Sequence, residues 1–335
     1  MAERHEEMLA QIASEYYLEN TSKVEIGKAH GISRFQVARY LDEARREGIV
    51  TITIRRPPAL PTDGADLAKA LGISSVTIAS IPAGAPDARD RLARAAAGVV
   101  AGVVTDGSRL GVSWSRTLQE MAGHLPTLPN CDVVQLAGSI SVTGGGGSGS
   151  LIHRLGQVAG GRIWPLPAPL IVETAETAAS LRRQPEIADA LHAADALDVA
   201  VVALGDWEAG KSTVYERVAP AQRRAATAAG AVAECSGRLL AADGSAADGG
   251  LDECVIAVTL DQLISTPQVV LIAPSQDGVE GVRAAVAAGI ANHLVIGPAL
   301  ALRLAEELGL TQELHPAEEQ GPAGQPAPTG AGDTA

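Results

Sequence analysis

Hydrophobic residues follow one spacing at the start of the chain and another in the rest. Residues 3–19 and the stretch from residue 22 onward carry apolar side chains three and four positions apart, the spacing of helices that bury one face. From about residue 65, short apolar runs alternate with alanine-rich stretches, which predicts a mostly parallel sheet covered by helices on both faces. The predicted strands are residues 75–80, 109–114, 132–137, 199–204, 268–273 and 293–297. The pattern predicts a small helical domain followed by a larger α/β domain.

Two capping boxes predict helix starts eleven residues apart. In a capping box, a Ser oxygen accepts a hydrogen bond from a backbone N–H, and a Glu or Gln three residues later reaches back to the N–H of that Ser. Ser22 and Glu25 fit this pattern, and so do Ser33 and Gln36. Gly31 lies between them and permits a left-handed turn. We therefore predict two short helices joined by a tight turn.

This arrangement is typical of a helix-turn-helix, and the β-prone run 48–54 suits a wing beside it. Gly27 is small, as required where the two helices cross closely. The first turns of the second helix would then meet base edges in a major groove. The residues predicted to contact operator DNA are Ser33, Arg34, Phe35, Gln36 and Arg39. The alternative is an amphipathic helix pair inside a small bundle that binds no DNA.

Phe35 is the only phenylalanine of the chain, and the sequence leaves its role open. On the surface of the second helix it would contact a thymine methyl group, the one apolar feature of a base edge. It could equally cap the small core of the helical domain.

The net charge of −13 is divided unevenly along the chain. Residues 1–56 hold nine Lys or Arg and nine Asp or Glu, so the remaining 17 basic and 30 acidic residues carry the whole excess. A neutral head attracts phosphates only modestly, because each neutralised phosphate contributes to affinity. We therefore expect more than one head to engage DNA at once, which requires self-association.

Composition argues against several classes of protein. No apolar run reaches 18 residues, and the charged N-terminus has no apolar segment typical of a signal peptide. The three cysteines are widely spaced, which suits a reducing cytoplasm and neither a disulfide framework nor a zinc site. We expect a cytoplasmic protein without a membrane partner, metal or cofactor.

Three loops that follow predicted strands are candidates for a ligand site, because ligands of parallel sheets bind at the carboxyl ends of strands. Residues 111–117 open a helix and could hold an anion or a polyol, or could simply be a capped turn. Residues 138–149 are rich in glycine, which permits either close backbone approach or mobility. Residues 205–213 end like a Walker loop with Gly210-Lys211-Ser212, but we predict no nucleotide site there.

Longer motifs of the chain resemble the SorC family of bacterial sugar-responsive transcriptional regulators, a DeoR-like group, over about residues 5–310. The motifs that carry the resemblance are GISRFQVARYLDEARREGIV (31–50), GVSWSRTL (111–118), VVQLAGSIS (133–141), GGRIWPLPAPLIV (160–172), GAVAECSGRLL (230–240) and ANHLVIG (291–297). The resemblance implies a Rossmann-like effector domain related to sugar-phosphate isomerases and CoA transferases. It also implies a homo-oligomer, a dimer or tetramer, whose hold on operator DNA changes when a sugar binds.

On this basis we predict four segments and one effector site. The segments are a winged helix-turn-helix domain (1–56), a Pro-rich linker (57–64), an effector-binding and oligomerisation domain (65–315) and a disordered tail (316–335). The predicted partners are operator DNA, a small carbohydrate effector and a second copy of the chain. The predicted effector-binding residues are Gly111, Ser113, Ser115, Arg116, Thr117, Gly138, Ser139, Ser141, Gly205, Asp243 and Ser275.

The chain departs from the family pattern at two positions. Where the family often has GRFFDADG, this chain has GRLLAADG, so Ala241 replaces the first acidic residue while Asp243 remains. Where the family often has a Lys at the end of a Gly-Gly-x-x-Lys loop, this chain has Gly278, preceded by Asp277. Loss of the cation removes a charge-assisted bond to a phosphate.

We therefore hypothesise that the effector is a neutral or weakly anionic sugar, polyol or lactone. The competing view is that a cation from another loop contacts a phosphate, namely Arg116, Arg154 or Lys211. The alternative function is a sugar-phosphate isomerase-like enzyme with a DNA-binding head. Its candidate bases have no spacing that specifies a reaction; they are Glu173, Asp206, Glu234 and Asp243.

Overall fold

The structure is a computed structural model that describes residues 2–19, 21–51, 64–140, 148–247 and 249–310. The chain divides into two units, Met1–Pro57 and Pro58–Ala335. Of the predicted linker at 57–64, all but Gly64 lies outside the described residues, and the predicted tail at 316–335 lies outside them too.

The described part of the smaller unit contains α1 (Ala2–Tyr17), α2 (Lys23–His30) and α3 (Arg34–Arg46). Apolar side chains from all three helices form its core, because each helix turns one stripe inward. The fully buried members are Leu9, Ile12, Ala13, Ile26, Val37, Leu41 and Ala44. The predicted wing at 48–54 is only partly described: residues 48–51 form no strand, and residues 52–54 lie outside the described residues.

Both predicted capping boxes are confirmed. Ser22 Oγ accepts a hydrogen bond from the Glu25 N–H at 3.3 Å, and the Glu25 carboxylate accepts one from the Ser22 N–H at 3.1 Å. The same pair of bonds joins Ser33 and Gln36, at 3.2 and 3.0 Å. Gly31 ends α2 with a φ of 66°, the left-handed conformation that its position requires.

Two contacts determine how closely the helices of the smaller unit approach one another. A Cβ on Gly27 would lie 2.7 Å from the backbone oxygen of Ile32, so the crossing of α2 and the turn leaves no room for a side chain. His30 Nε2 lies 2.9 Å from Glu15 Oε1, which joins α2 to α1.

The larger unit is built on one sheet. Seven parallel strands follow the order β1-β9-β8-β5-β2-β3-β4, while β6 pairs antiparallel with β5, and β7 with β6. Their bounds are β1 Ser75–Ile78, β2 Arg109–Val112, β3 Cys131–Gln135, β4 Gly160–Trp164, β5 Val199–Asp206, β6 Ala231–Cys235, β7 Arg238–Ala241, β8 Gln268–Ala273 and β9 His293–Ile296. All six predicted strands are present and parallel, whereas β4, β6 and β7 were not predicted.

Helices cover both faces of the parallel strands. Their bounds are α4 Ala65–Leu71, α5 Ala88–Val103, α6 Arg116–His124, α7 Ser148–Ala159, α8 Ala175–Arg182, α9 Pro185–Ala193, α10 Thr213–Arg217, α11 Pro220–Ala228, α12 Leu260–Ile264, α13 Val279–Ala287 and α14 Pro298–Glu307. Successive side chains of β5 belong to different hydrophobic clusters. Ala200 and Val202 pack into one cluster, and Val199 and Val201 pack into the other. Because both faces of these strands are buried, their sequences are continuous runs of apolar residues.

The topology brings the ends of distant segments together. β2, β5 and β8 are neighbours and parallel, so their carboxyl ends share one edge. The β6–β7 hairpin pairs with the last residues of β5, with Gly205 opposite Glu234. In the part of the chain that the structure describes, no helix is both long and apolar enough to span a bilayer.

Candidate functional site

A cleft of about 240 Å³ opens at the carboxyl ends of β2, β3, β5 and β8, the edge where ligands of parallel sheets bind. Hydroxyl groups, backbone and a few charged side chains line it. Seven of the predicted effector residues are among them, namely Ser113, Ser115, Arg116, Thr117, Gly138, Gly205 and Ser275.

The structure places three other predicted effector residues away from the described lining of this cleft. Gly111 lies inside β2, where a Cβ would be 2.6 Å from a methyl group of Leu136, so its smallness serves packing. Ser139 uses its backbone to pair with residues 168–170. Asp243 lies in an exposed turn after β7 and accepts bonds from Ser245, which lowers the pKa of its carboxyl. Ser141 is outside the described residues.

The start of α6 forms one wall of the cleft. Ser115 Oγ accepts a hydrogen bond from the Leu118 N–H at 3.0 Å, so this hydroxyl caps the helix. Arg116 is exposed at the first helical position, and Thr117 is buried. The loop at residues 111–117 is therefore a capped turn that also faces a cleft. The capped turn and the ligand-binding loop, which its sequence left as alternatives, are compatible with each other.

The turn of the β6–β7 hairpin brings in a hydroxyl that the sequence interpretation missed. Ser236 and Gly237 have φ angles of 55° and 82°, as a two-residue type I′ turn requires. The Ser236 hydroxyl donates to the Ser113 hydroxyl at 3.0 Å, and both side chains are buried. A Ser-Gly pair between two apolar runs is the turn signal that could have revealed this hairpin.

Glu234 is the buried carboxyl of the cleft. Its Oε1 accepts a hydrogen bond from the Ser212 hydroxyl at 3.0 Å, and its Oε2 accepts one from the Gly237 N–H at 3.2 Å. Burial raises the pKa of Glu234 from 4.5 to about 7, because removal from water disfavours the charged form more than the two hydrogen bonds favour it. At neutral pH this group therefore exchanges readily between a proton donor and an acceptor.

Lys211 brings a cation to the lining of the cleft from the loop that follows β5. Lys211 Nζ lies 2.8 Å from a Glu208 oxygen, 3.8 Å from one of Asp277 and 3.9 Å from one of Asp206. The hydrogen bond with Glu208 is the main cause that raises the pKa of Lys211. Three carboxylates thus surround the Lys211 ammonium group, and one of them, Asp277, also pairs with Arg303 at 2.8 Å.

Gly278 stands where the family resemblance implies a Lys, and the side chain of Asp206 leaves little room beside it. A Cβ on Gly278 would lie 2.9 Å from Asp206 Oδ1, and the other oxygen of Asp206 accepts a hydrogen bond from the Ser275 hydroxyl at 2.6 Å. Of the alternative cations, Arg116 and Lys211 line the cleft. Arg154 instead packs against Gly123 of α6.

The first turn of α3 presents a second polar surface in the smaller unit. Arg34, Phe35 and Arg39 are exposed, and Phe35 and Arg39 lie on the side of α3 away from its buried residues. Ser33 and Gln36 bond to each other at the helix start, which leaves the Gln36 side-chain nitrogen as the donor free to face outward.

Comparisons with known proteins agree with this architecture. Residues 63–305 match the family described as "Putative sugar-binding domain". Transcriptional regulator LsrR from Klebsiella pneumoniae subsp. pneumoniae is 28% identical over 303 residues, which cover 88% of this chain and 91% of that protein.

Two solved structures show the same fold. The full-length sorbitol operon regulator SorC from Klebsiella pneumoniae matches with a TM-score of 0.67 and 18% identity, over 89% of this chain and 98% of that one. A DeoR family transcriptional regulator from Listeria monocytogenes matches with a TM-score of 0.64 and 23% identity, over 71% of this chain and 96% of that one.

Proposed function

The chain belongs to the SorC-type family of sugar-binding transcriptional regulators, and we propose that the cleft at the carboxyl ends of the sheet is where its effector binds. The protein is a DNA-binding regulator, and a carbohydrate controls its affinity for its operator. The observation that carries the location is the Ser113–Ser236 hydroxyl pair, which lines the same cleft as the buried Glu234 carboxyl. Such groups both donate and accept hydrogen bonds, as the hydroxyls of a sugar require.

The proposed effector is neutral or weakly anionic. A doubly charged phosphate needs cations that are not already neutralised, because an unmatched anion is repelled by nearby carboxylates. Lys211 is surrounded by Glu208, Asp206 and Asp277, and Gly278 offers no charge. Arg116 at the start of α6 is the cation that a phosphate would use instead, with Arg89 also in the lining of the cleft, and this alternative is an outcome of the test below.

DNA binding is assigned to the exposed start of α3, with Arg34 and Arg39 as the contacts to base edges or phosphates. Paired copies of the chain would place two such helices on two half-sites of an operator. The effector would then shift the population between arrangements with different helix separations, by as much as its affinities for them differ. Light scattering of the purified protein tests the pairing, which a monomer at working concentration would contradict.

The test of this function is fluorescence anisotropy on labelled duplexes from the DNA upstream of the protein's own gene. A panel of neutral sugars, polyols, lactones and their phosphates is added in turn. We expect one neutral compound to change the apparent Kd for DNA by about tenfold. An effect of a sugar phosphate but not of its dephosphorylated form would contradict the proposed effector class.

Two variants separate the neutral effector from the phosphate. With a neutral effector, Ser113→Ala weakens its binding in calorimetric titration, whereas Arg116→Ala leaves it nearly unchanged. With a phosphate held by Arg116, the second substitution would abolish binding. Ser180→Ala, which changes an exposed hydroxyl on α8, is the matched control.

An enzymatic role is a second candidate because of one observation, the pKa of about 7 of the Glu234 carboxyl inside the cleft. A carboxyl tuned in this way suits a general base at neutral pH. Incubation of the effector identified by anisotropy, followed by mass and NMR analysis, tests this role. Conversion of the compound by the wild type, lost in Glu234→Gln, would favour an isomerase-like enzyme.

A further inference from the structure

Phe35 does not belong to the core of the smaller unit. Its surface is 72% exposed, and it lies roughly 150° around the helix axis from the stripe formed by Val37, Leu41 and Ala44. The alternative that Phe35 caps this core is therefore wrong. An exposed aromatic ring at the second position of a helix leaves a large apolar surface in water, which a contact with a partner would remove.

Exposure alone does not distinguish Phe35, because Leu18 at the end of α1 is 80% exposed. The arrangement around the ring does. The guanidinium carbon of Arg34 lies 4.8 Å from the ring centroid, so the cation stacks on the aromatic face. The Ser33–Gln36 capping box fixes the backbone on either side of both residues. The two side chains therefore form one preassembled unit at the start of α3.

The major groove offers one apolar group on its base edges, the C5-methyl group of thymine, and it offers guanine as the bidentate partner of arginine. We infer that Phe35 selects a thymine in the operator by packing its ring on this methyl group, while Arg34, held against the ring, reaches a neighbouring guanine. This inference rests on the proposed function, in which the start of α3 enters the major groove. It adds a specificity-determining residue that a charge-based view of the helix omits.

The test replaces single thymines of the operator duplex by deoxyuridine, which removes only the methyl group. Anisotropy titrations compare the wild type with Phe35→Ala, Phe35→Leu and Leu18→Ala. We expect one deoxyuridine, or a symmetric pair, to weaken wild-type binding about fourfold per methyl group. Phe35→Ala weakens binding to the natural operator by about tenfold and no longer responds to that deoxyuridine.

Phe35→Leu retains an apolar side chain and should keep part of the methyl dependence. Leu18→Ala removes an equally exposed apolar residue of the same unit, and should bind like the wild type with the full methyl dependence. Circular dichroism shows whether each variant is folded; the exposure of Phe35 predicts that its variants are.

Two results would overturn the inference while the proposed function stands. One is a Phe35→Ala protein that binds the operator as the wild type does. The other is a uniform loss of binding on every duplex with the deoxyuridine response unchanged, which would assign Phe35 to a contact with another protein surface. A wild type that binds none of the duplexes would instead contradict the proposed function, and the inference with it.

Discussion

The start of α3 and the cleft of the larger unit are built in opposite ways. The side chains of α3 that we assign to DNA are exposed, and contacts only three residues apart determine where the helix starts. Polar groups from distant segments meet at the cleft: the buried Ser113 and Ser236 are 123 positions apart, and the half-buried Asp206 and Ser275 are 69 apart. Ser113 and Ser236 are hydrogen-bond partners, and so are the buried Ser212 and Glu234.

This difference predicts how function and stability are coupled in each region. An exposed side chain can be removed at little cost to folding, because water replaces its contacts. A buried polar group that loses its partner carries the full cost of desolvation. Substitutions on α3 should therefore change DNA binding alone, whereas substitutions in the cleft should change effector binding and unfolding together.

The largest expected effect is the pH dependence that Glu234 imposes on the larger unit. Its pKa is raised to about 7 in the folded protein, from 4.5. The folded state thus holds a proton that the unfolded state releases, and the free energy of unfolding falls as pH rises through this window. Between pH 5 and 8 the wild type should lose about 2.5 kcal/mol relative to Glu234→Gln.

Urea unfolding at several pH values measures this loss, with tryptophan fluorescence as the signal because all three tryptophans lie in the larger unit. Asp243→Asn is the control, since the lowered pKa of Asp243 places its titration below this range. Parallel slopes for the wild type and Glu234→Gln would show that Glu234 is ionised throughout, and the cleft would then be wetter than its geometry indicates.

Gly27→Ala should destabilise the smaller unit by about 2 kcal/mol, because the new Cβ would meet the Ile32 backbone oxygen. Three of the four tyrosines, Tyr16, Tyr17 and Tyr40, lie in this unit, so tyrosine signals report mainly on it. The same substitution at Gly98, a helical glycine of α5 with open space around it, should instead stabilise the larger unit by up to about 1 kcal/mol. Equal effects of the two changes would refute the close crossing of α2 and the turn.

Arg34→Ala should weaken operator binding by about 1–3 kcal/mol and relax the preference at one base pair. The free energy of unfolding should change by less than about 0.5 kcal/mol, since the side chain is exposed. Anisotropy on operators mutated at each position, together with urea unfolding, measures both. Unchanged sequence preference would reject base reading by Arg34, and a large loss of stability would break the contrast between the two regions.

The smallest expected effect is the change of stability in Ser236→Gly. Glycine adopts the φ of 55° freely, which should gain about 1 kcal/mol, but the buried Ser113 hydroxyl loses its partner, which should cost about as much. Thermal unfolding should therefore show a net change of less than about 1 kcal/mol. Loss of the hydroxyl that bonds to Ser113 should at the same time weaken effector binding in calorimetry. A variant that keeps its stability and binds the effector normally would exclude Ser236 from the site.

Local signals in the sequence predicted some parts of the site and missed others. The capping boxes at Ser22 and Ser33 could be predicted because both partners lie within one turn of helix. The hydroxyls around Ser113 could be predicted because a loop after a buried strand is a general ligand position. Asp243 was assigned to the site from its motif alone, yet the turn after β7 directs it elsewhere.

The sequence by itself determined the order of six parallel strands, the two helix starts of the smaller unit and the parallel core of the larger one, because these depend on spacing and on contacts between near neighbours. Only the tertiary structure decided which polar residues meet. The antiparallel β6–β7 hairpin brings Glu234 and Ser236 to the end of β5, and the loop after β5 brings Lys211 to Asp277. Such meetings depend on strand register and on burial between segments far apart in the chain, which no local pattern encodes.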